Sequence, residues 1–136
     1  MARELSWGLD VPFKAAVDLS SYQYYLMKAG SIAGEVTFNA TANGSCLGVL
    51  QNDPTAGEEA AVRIFGSTKV RASTEQAASL INWGGLLKSS STGMATGYVG
   101  TTASYFAVGM AFETVASGSG QYIDAFVFPP AYRIST

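Results

Sequence analysis

The residue types that run chemistry in proteins are thinly supplied in this 136-residue chain: ten carboxylates, one cysteine and no histidine. Without histidine the commonest general base, the commonest zinc ligand and the usual switch near neutral pH are all missing. A Ser-His-Asp triad cannot be completed, and no Gly-x-Ser-x-Gly elbow occurs. Lys88-Ser89 gives a Ser-Lys pair in sequence only, because neighbouring residues on a strand point to opposite faces. No Gly-Lys dipeptide occurs, so the GxxxxGK[ST] phosphate loop is excluded. Gly84-Gly85-Leu86-Leu87-Lys88-Ser89 reads instead as a turn entering a strand. Glu58-Glu59 is the one tight carboxylate pair, and it lies in a turn, where solvated charges are expected rather than a glycosidase-type acid pair. Asp124 sits inside the apolar stretch 122–128, so a structural pair with Arg63 or Arg71 is expected ahead of any metal-ligand role. No catalytic, cofactor-binding or metal-binding residue is expected. Cys46 is alone, which excludes an internal disulfide and suits a small buried apolar residue.

The bulk composition points the same way. Apolar residues make up 48% of the chain and charged residues only 13%, against about 25% in an ordinary domain. So few charges give weak protection against association, which favours an oligomer or a part of a larger assembly. The net charge is −2, with no basic run, so nucleic acid is not an expected partner. No apolar run approaches the roughly 18 residues of a membrane span, and residues 1–20 contain no secretory h-region. One domain, made in a reducing cytoplasm, is the expectation.

The pattern that must position everything is all-β. Residues 1–20 alternate Leu5, Trp7, Leu9, Val11 and Phe13 with polar or small residues, broken by Gly8 and Pro12. This predicts an edge strand or an extended N-terminal arm with Trp7 and Phe13 as anchors. Residues 22–28 are a strand candidate, and residues 35–42 form a half-buried strand. Asn43-Gly44 then suits a two-residue turn into a strand at 46–50. Gln51 to Gly57 is turn chemistry, followed by a strand over 60–65 and a turn at Gly66. Ser73 and Gln76 have capping-box spacing, which predicts one short helix over about 74–82. Phe106, Val108, Met110 and Phe112 mark a strand with one bulky face. A last strand runs from Tyr122 to Phe128 and ends at Pro129-Pro130. The Gly48–Gly57 and Gly109–Gly118 spacings, with Leu26-Met27-Lys28 against Leu86-Leu87-Lys88, admit a reading of residues 21–136 as one domain of two pseudo-repeated halves. A closed or nearly closed small barrel would remove exposed edges.

Quoted together, the stretches YLMKAG, GVLQNDPTAGEEAAVRIFGSTKVRAS and GGLLKSSSTGMATG carry a family likeness. With Gly48–Pro54, Gly57–Val62, Gly66–Val70 and Gly85–Gly93 as the matching positions, the chain resembles the tailed-phage head decoration (capsid cement) proteins over roughly 22–128. The resemblance implies a β-barrel or β-tulip domain, commonly a homotrimer, on the outer surface of an icosahedral head, with major capsid protein as its partner. It implies a non-enzymatic virion protein that stabilises the shell, with no cofactor. Trp7, Leu9, Phe13, Phe128, Pro130 and Tyr132, at the two termini, are the expected contact residues. The alternatives are a head or tail fibre-base protein, or a carbohydrate-binding module that stacks sugars on Tyr22, Tyr24 and Tyr25.

Overall fold

The computed structural model describes residues 7–42, 44–73, 81–97, 105–115 and 121–133. Among these residues nine strands follow in order: β1 Trp7–Ala15, β2 Leu26–Ala29, β3 Glu35–Phe38, β4 Gly48–Leu50, β5 Glu59–Arg71, β6 Leu86–Ser89, β7 Ala95–Gly97, β8 Tyr105–Ala111 and β9 Tyr122–Arg133. They form one mixed sheet in the order β1-β3-β2-β4-β5-β9-β8-β6-β7, with β1 also pairing β5.

The sheet is all-β, as the pattern predicts, but it is not a closed barrel. It turns back on itself twice around the long strand β5. In the first circuit β1 pairs β5 antiparallel along most of its length and touches β3 through only two parallel residue pairs, Lys14↔Glu35 and Ala15↔Val36. In the second, β9, β8, β6 and β7 follow β5, and a single parallel bridge, Ala72↔Ala95, ties β7 back to the residue after β5. Seams this short close no continuous hydrogen-bond ladder. Two cores follow from the two circuits. Ala15, Leu19, Met27, Val36, Leu50, Ala60 and Val62 fill the first. The larger core runs from Leu26 and Val49 through Val70 and Leu87 to Ile123 and Val127. Alternation along β2 and β4 sends Leu26 and Val49 to one core and Met27 and Leu50 to the other.

Several expected elements differ, each for a local reason. Residues 74–80 of the expected helix lie outside the described residues. Ile81 pairs with Val115 in a bridge, so that end of the segment is not helical, and no helix occurs among the described residues. Of the turn expected at Asn43-Gly44, Asn43 lies outside the described residues; the flanking strands β3 and β4 both pair with β2 rather than with each other, so they form no hairpin. The strand over 35–42 stops at Phe38, where Asn39 turns inward to bond the Cys46 sulfur at 2.9 Å and the Ser89 hydroxyl at 3.1 Å. Strand β2 starts only at Leu26, since Tyr24 has φ of 70°. Gly66 lies within β5 rather than in a turn. A Cβ there would come 2.1 Å from the Trp7 carbonyl, so the missing side chain lets β1 approach. Strand β9 runs past Pro129-Pro130, which fall between Val127 and Ala131, opposite the bulge of β8. The N-terminal segment is no free arm over 7–15: it is docked on β5 of its own chain.

The corner at 51–58 is held by side chains. Asn52 donates to the Glu59 carbonyl and accepts from the Ala61 amide, while the Thr55 amide and hydroxyl both donate to Glu58. Gly57, with φ of 85°, completes the reversal.

Candidate interaction surface

Beyond Asp10, Phe13 and Ala15 of β1 pack in the first core, while Val11 is half-buried opposite Val62 and Phe13 lies opposite Ala60. Had alternation continued, Leu9 and Trp7 would point inward too. The register shifts instead: Asp10 faces Arg63 while Leu9 faces Phe65, which leaves Ile64 as an extra residue. A one-residue shift turns side chains over. Trp7 and Leu9 therefore lie on the outer face, 66% and 57% exposed, beside Phe65 at 42%.

These three join an apolar band across five strands. Trp7 faces Ser67, Ser67 faces Phe126, Phe126 faces Met110, and Met110 faces Leu86. Phe65 meets Phe126 edge-on at 5.1 Å, and Phe112 lies 6.5 Å from Phe126. Leu86, Met110, Phe112 and Phe126 are half-buried. Beside the band, Asp10 accepts two bonds from the Arg63 guanidinium, at 2.7 and 3.1 Å, and Arg63 also donates to the Ser67 carbonyl at 2.8 Å. This fork pins the bulge and neutralises the charge next to the apolar surface.

Of the expected contact residues, the fold brings Trp7 and Leu9 together on this face. Phe13 packs against the first core. Phe128 is half-buried in β9, and the backbone of Pro130 and Tyr132 continues that strand, with Tyr132 opposite Phe106. Sequence reasoning missed Phe65, Phe126 and Leu86. The bulky row 106–112 was visible in the sequence, but the bulge between Ala107 and Gly109 sends Val108 into the main core while Met110 and Phe112 face outward.

The fold has a solved counterpart. No protein-family model matches this chain, and no curated protein matches it in sequence. The head fibre gp8.5 N base of bacteriophage phi29 is similar in fold, with a TM-score of 0.60, 19% identity, and coverage of 88% of this chain and 92% of that one.

The rest of the molecule offers structural chemistry. Asn52, Asp53, Pro54, Glu58 and Glu59 line an open polar pocket of about 340 Å³. Hydrogen bonds from the Thr55 hydroxyl and amide hold the Glu58 carboxyl below its usual range, and the Ser20 amide and hydroxyl do the same for Asp18. Among the described residues no group of three or more His, Cys, Asp or Glu could hold a metal, and no helix is long and apolar enough to cross a membrane. Burial pushes the Cys46 thiol up, against the opposing bond from Asn39. Asp124 is buried, and its amide donates to Glu113 at 2.8 Å. Arg63 bonds Asp10, and Arg71 bonds the Tyr122 hydroxyl and lies over its ring.

Tyr22 stacks on Phe38 at 4.5 Å and meets Tyr25 edge-on, while Tyr24 meets Tyr122 edge-on. Tyr22 and Tyr25 pack on the first core and Tyr24 on the larger one. The three rings thus serve two cores and share no common plane.

Proposed function

We propose that this chain is a structural protein of a tailed-phage head, bound to the outside of the shell, where it cements neighbouring major capsid protein subunits. The observation that carries this reading is the fold likeness to a phage head fibre base over 88% of the chain. The likeness of residues 48–70 to the decoration proteins supports it independently. The physical case is one of avidity: many copies, each touching two or more subunits, turn modest contacts into strong ones without any reactive centre. A charge-poor surface with Trp7, Leu9 and Phe65 exposed suits burial against a protein partner. In this reading the chain performs no enzymatic step.

A second reading is the base of a head fibre, favoured by what the phi29 neighbour is. Deleting the gene and heating the purified particles separates the two. Cement predicts that particles without the chain release DNA at lower temperature and regain stability when the purified chain is added back. A fibre base predicts unchanged thermal stability with loss of a projecting fibre. Particles that lack neither stability nor a surface feature would refute both.

A further inference from the structure

The two pairing circuits are built alike. In the first, β2 meets β4 through Leu26↔Val49 and Met27↔Gly48. In the second, β6 meets β8 through Leu86↔Met110 and Leu87↔Gly109. On the other side, Lys28↔Thr37 and Ala29↔Val36 of β2–β3 are matched by Lys88↔Thr96 and Ser89↔Ala95 of β6–β7. The parallel seam of β1 with β3 is matched by the parallel bridge Ala72↔Ala95. Tyr24 and Gly84, placed alike before the two ladders, both have positive φ, 70° and 77°. A Cβ on Gly48 or on Gly109 would strike the carbonyl of the next strand, at Arg63 or Phe126.

On this correspondence the outer pair of the first ladder, Leu26 and Val49, answers to Leu86 and Met110 of the second. Their surroundings differ. Leu26 and Val49 are fully buried in one core with Val70, Leu87 and Ala95 of the second circuit. The Leu26 amide donates to the Gly93 carbonyl, in the turn between β6 and β7. The second circuit therefore covers this row of the first. Leu86 and Met110, with Phe126 alongside, remain half-exposed. The turn that corresponds to the Gly93 turn is 31–34, between β2 and β3, and it holds Ile32 at 62% exposure.

We propose that the Leu86–Met110–Phe126 row is the seat of a second copy of this chain, which lays its 31–34 turn and Ile32 upon it. The occupant is identified by the covered row within the chain, where the second circuit buries Leu26 and the equivalent turn of the same fold already accepts a bond from the Leu26 amide. Repeat proteins follow this rule: each unit buries its face against the next, and a terminal unit that is not capped keeps that face open. The contact is head-to-tail, so it closes into a ring or runs on as a chain. It needs no particle, so its failure leaves the capsid reading standing, and the reverse also holds.

The test is analytical ultracentrifugation of the full-length chain, with Met110→Asp and Ile32→Asp each alone and then mixed. Both positions are solvent-exposed in part, and retained circular dichroism and melting temperature check the fold. The wild type is expected to self-associate, and each variant to weaken association by about tenfold or more. The equimolar mixture is expected to form a heterodimer, because one variant keeps an intact row and the other an intact turn. If either variant misfolds, an inter-copy disulfide between Ile32→Cys and Leu86→Cys chains gives a second readout, with the native Cys46 buried. A wild type that stays monomeric at about 100 μM, association untouched by both variants, or a mixture that does not dimerise would overturn the proposal.

Discussion

Replacing Asp10 by alanine tests how β1 is held, and with it the surface that β1 presents. The carboxylate takes two bonds from Arg63, at 2.7 and 3.1 Å, with the two side chains 36% and 9% exposed respectively. Truncating one partner of a fully buried pair costs about 3–5 kcal/mol, whereas an exposed pair contributes about 0–1 kcal/mol. Asp10 is partly solvated and Arg63 keeps its bond to the Ser67 carbonyl. The loss therefore falls between these limits, at about 2 kcal/mol. With an unfolding entropy of about 2.1 cal/mol/K per residue, a chain of this length loses about 7 °C of melting temperature. Calorimetry measures the shift, and hydrogen exchange locates it: amides of β1 and of residues 59–67 should exchange faster while β6–β8 stay protected. Asp10→Asn, which keeps one acceptor, should fall between. A shift under about 2 °C, or a loss of protection that spares β1, would refute the reasoning.

Four further outcomes follow from the same structure. Gly48→Ala should cost about 3 kcal/mol, because its Cβ would lie 2.1 Å from the Arg63 carbonyl; denaturant titration reads the midpoint. Leu50→Ala, at a fully buried site in the first core, should cost about 2–5 kcal/mol by the same assay. Glu58→Gln should lower stability at neutral pH and flatten its acid dependence. Hydrogen bonds from the Thr55 hydroxyl and amide hold the native carboxyl below the ordinary glutamate range, so its contribution is present above that range and is lost as pH falls through the lower folded value; melting curves across that window measure it. The Cys46 thiol, raised by burial, should resist a thiol reagent in the native chain and react fully in denaturant, and rapid labelling of the native chain would contradict its placement.

Much of the strand content was legible because period-two alternation and turn residues are local signals. The corner at Asn52–Gly57 was readable for that reason, since its bonds join near neighbours. What failed depends on which strands meet. Asn43-Gly44 has hairpin chemistry, yet β2 lies between β3 and β4. Gly66 reads as punctuation, yet it is the close approach of β1 that requires glycine there. The outer face was half-legible. Trp7 and Leu9 were identifiable as apolar residues on a broken strand, but the bulge opposite Ile64 that turns them outward is a property of two strands in register. Phe65 and Phe126 lie 61 residues apart and meet only because β5 and β9 pair. Leu26-Met27-Lys28 and Leu86-Leu87-Lys88 look alike in sequence, but the burial of one row and the exposure of the other depend on what lies above each.

The most direct measurement is a cryo-EM reconstruction, with protein mass spectrometry, of particles produced by the genome that encodes this chain. The predicted result is density for the nine-strand fold on the outer face of the head, at a copy number fixed by the shell lattice, touching more than one capsid subunit. Mature particles that contain no copy of the chain, or contain it only away from the head, would contradict the account.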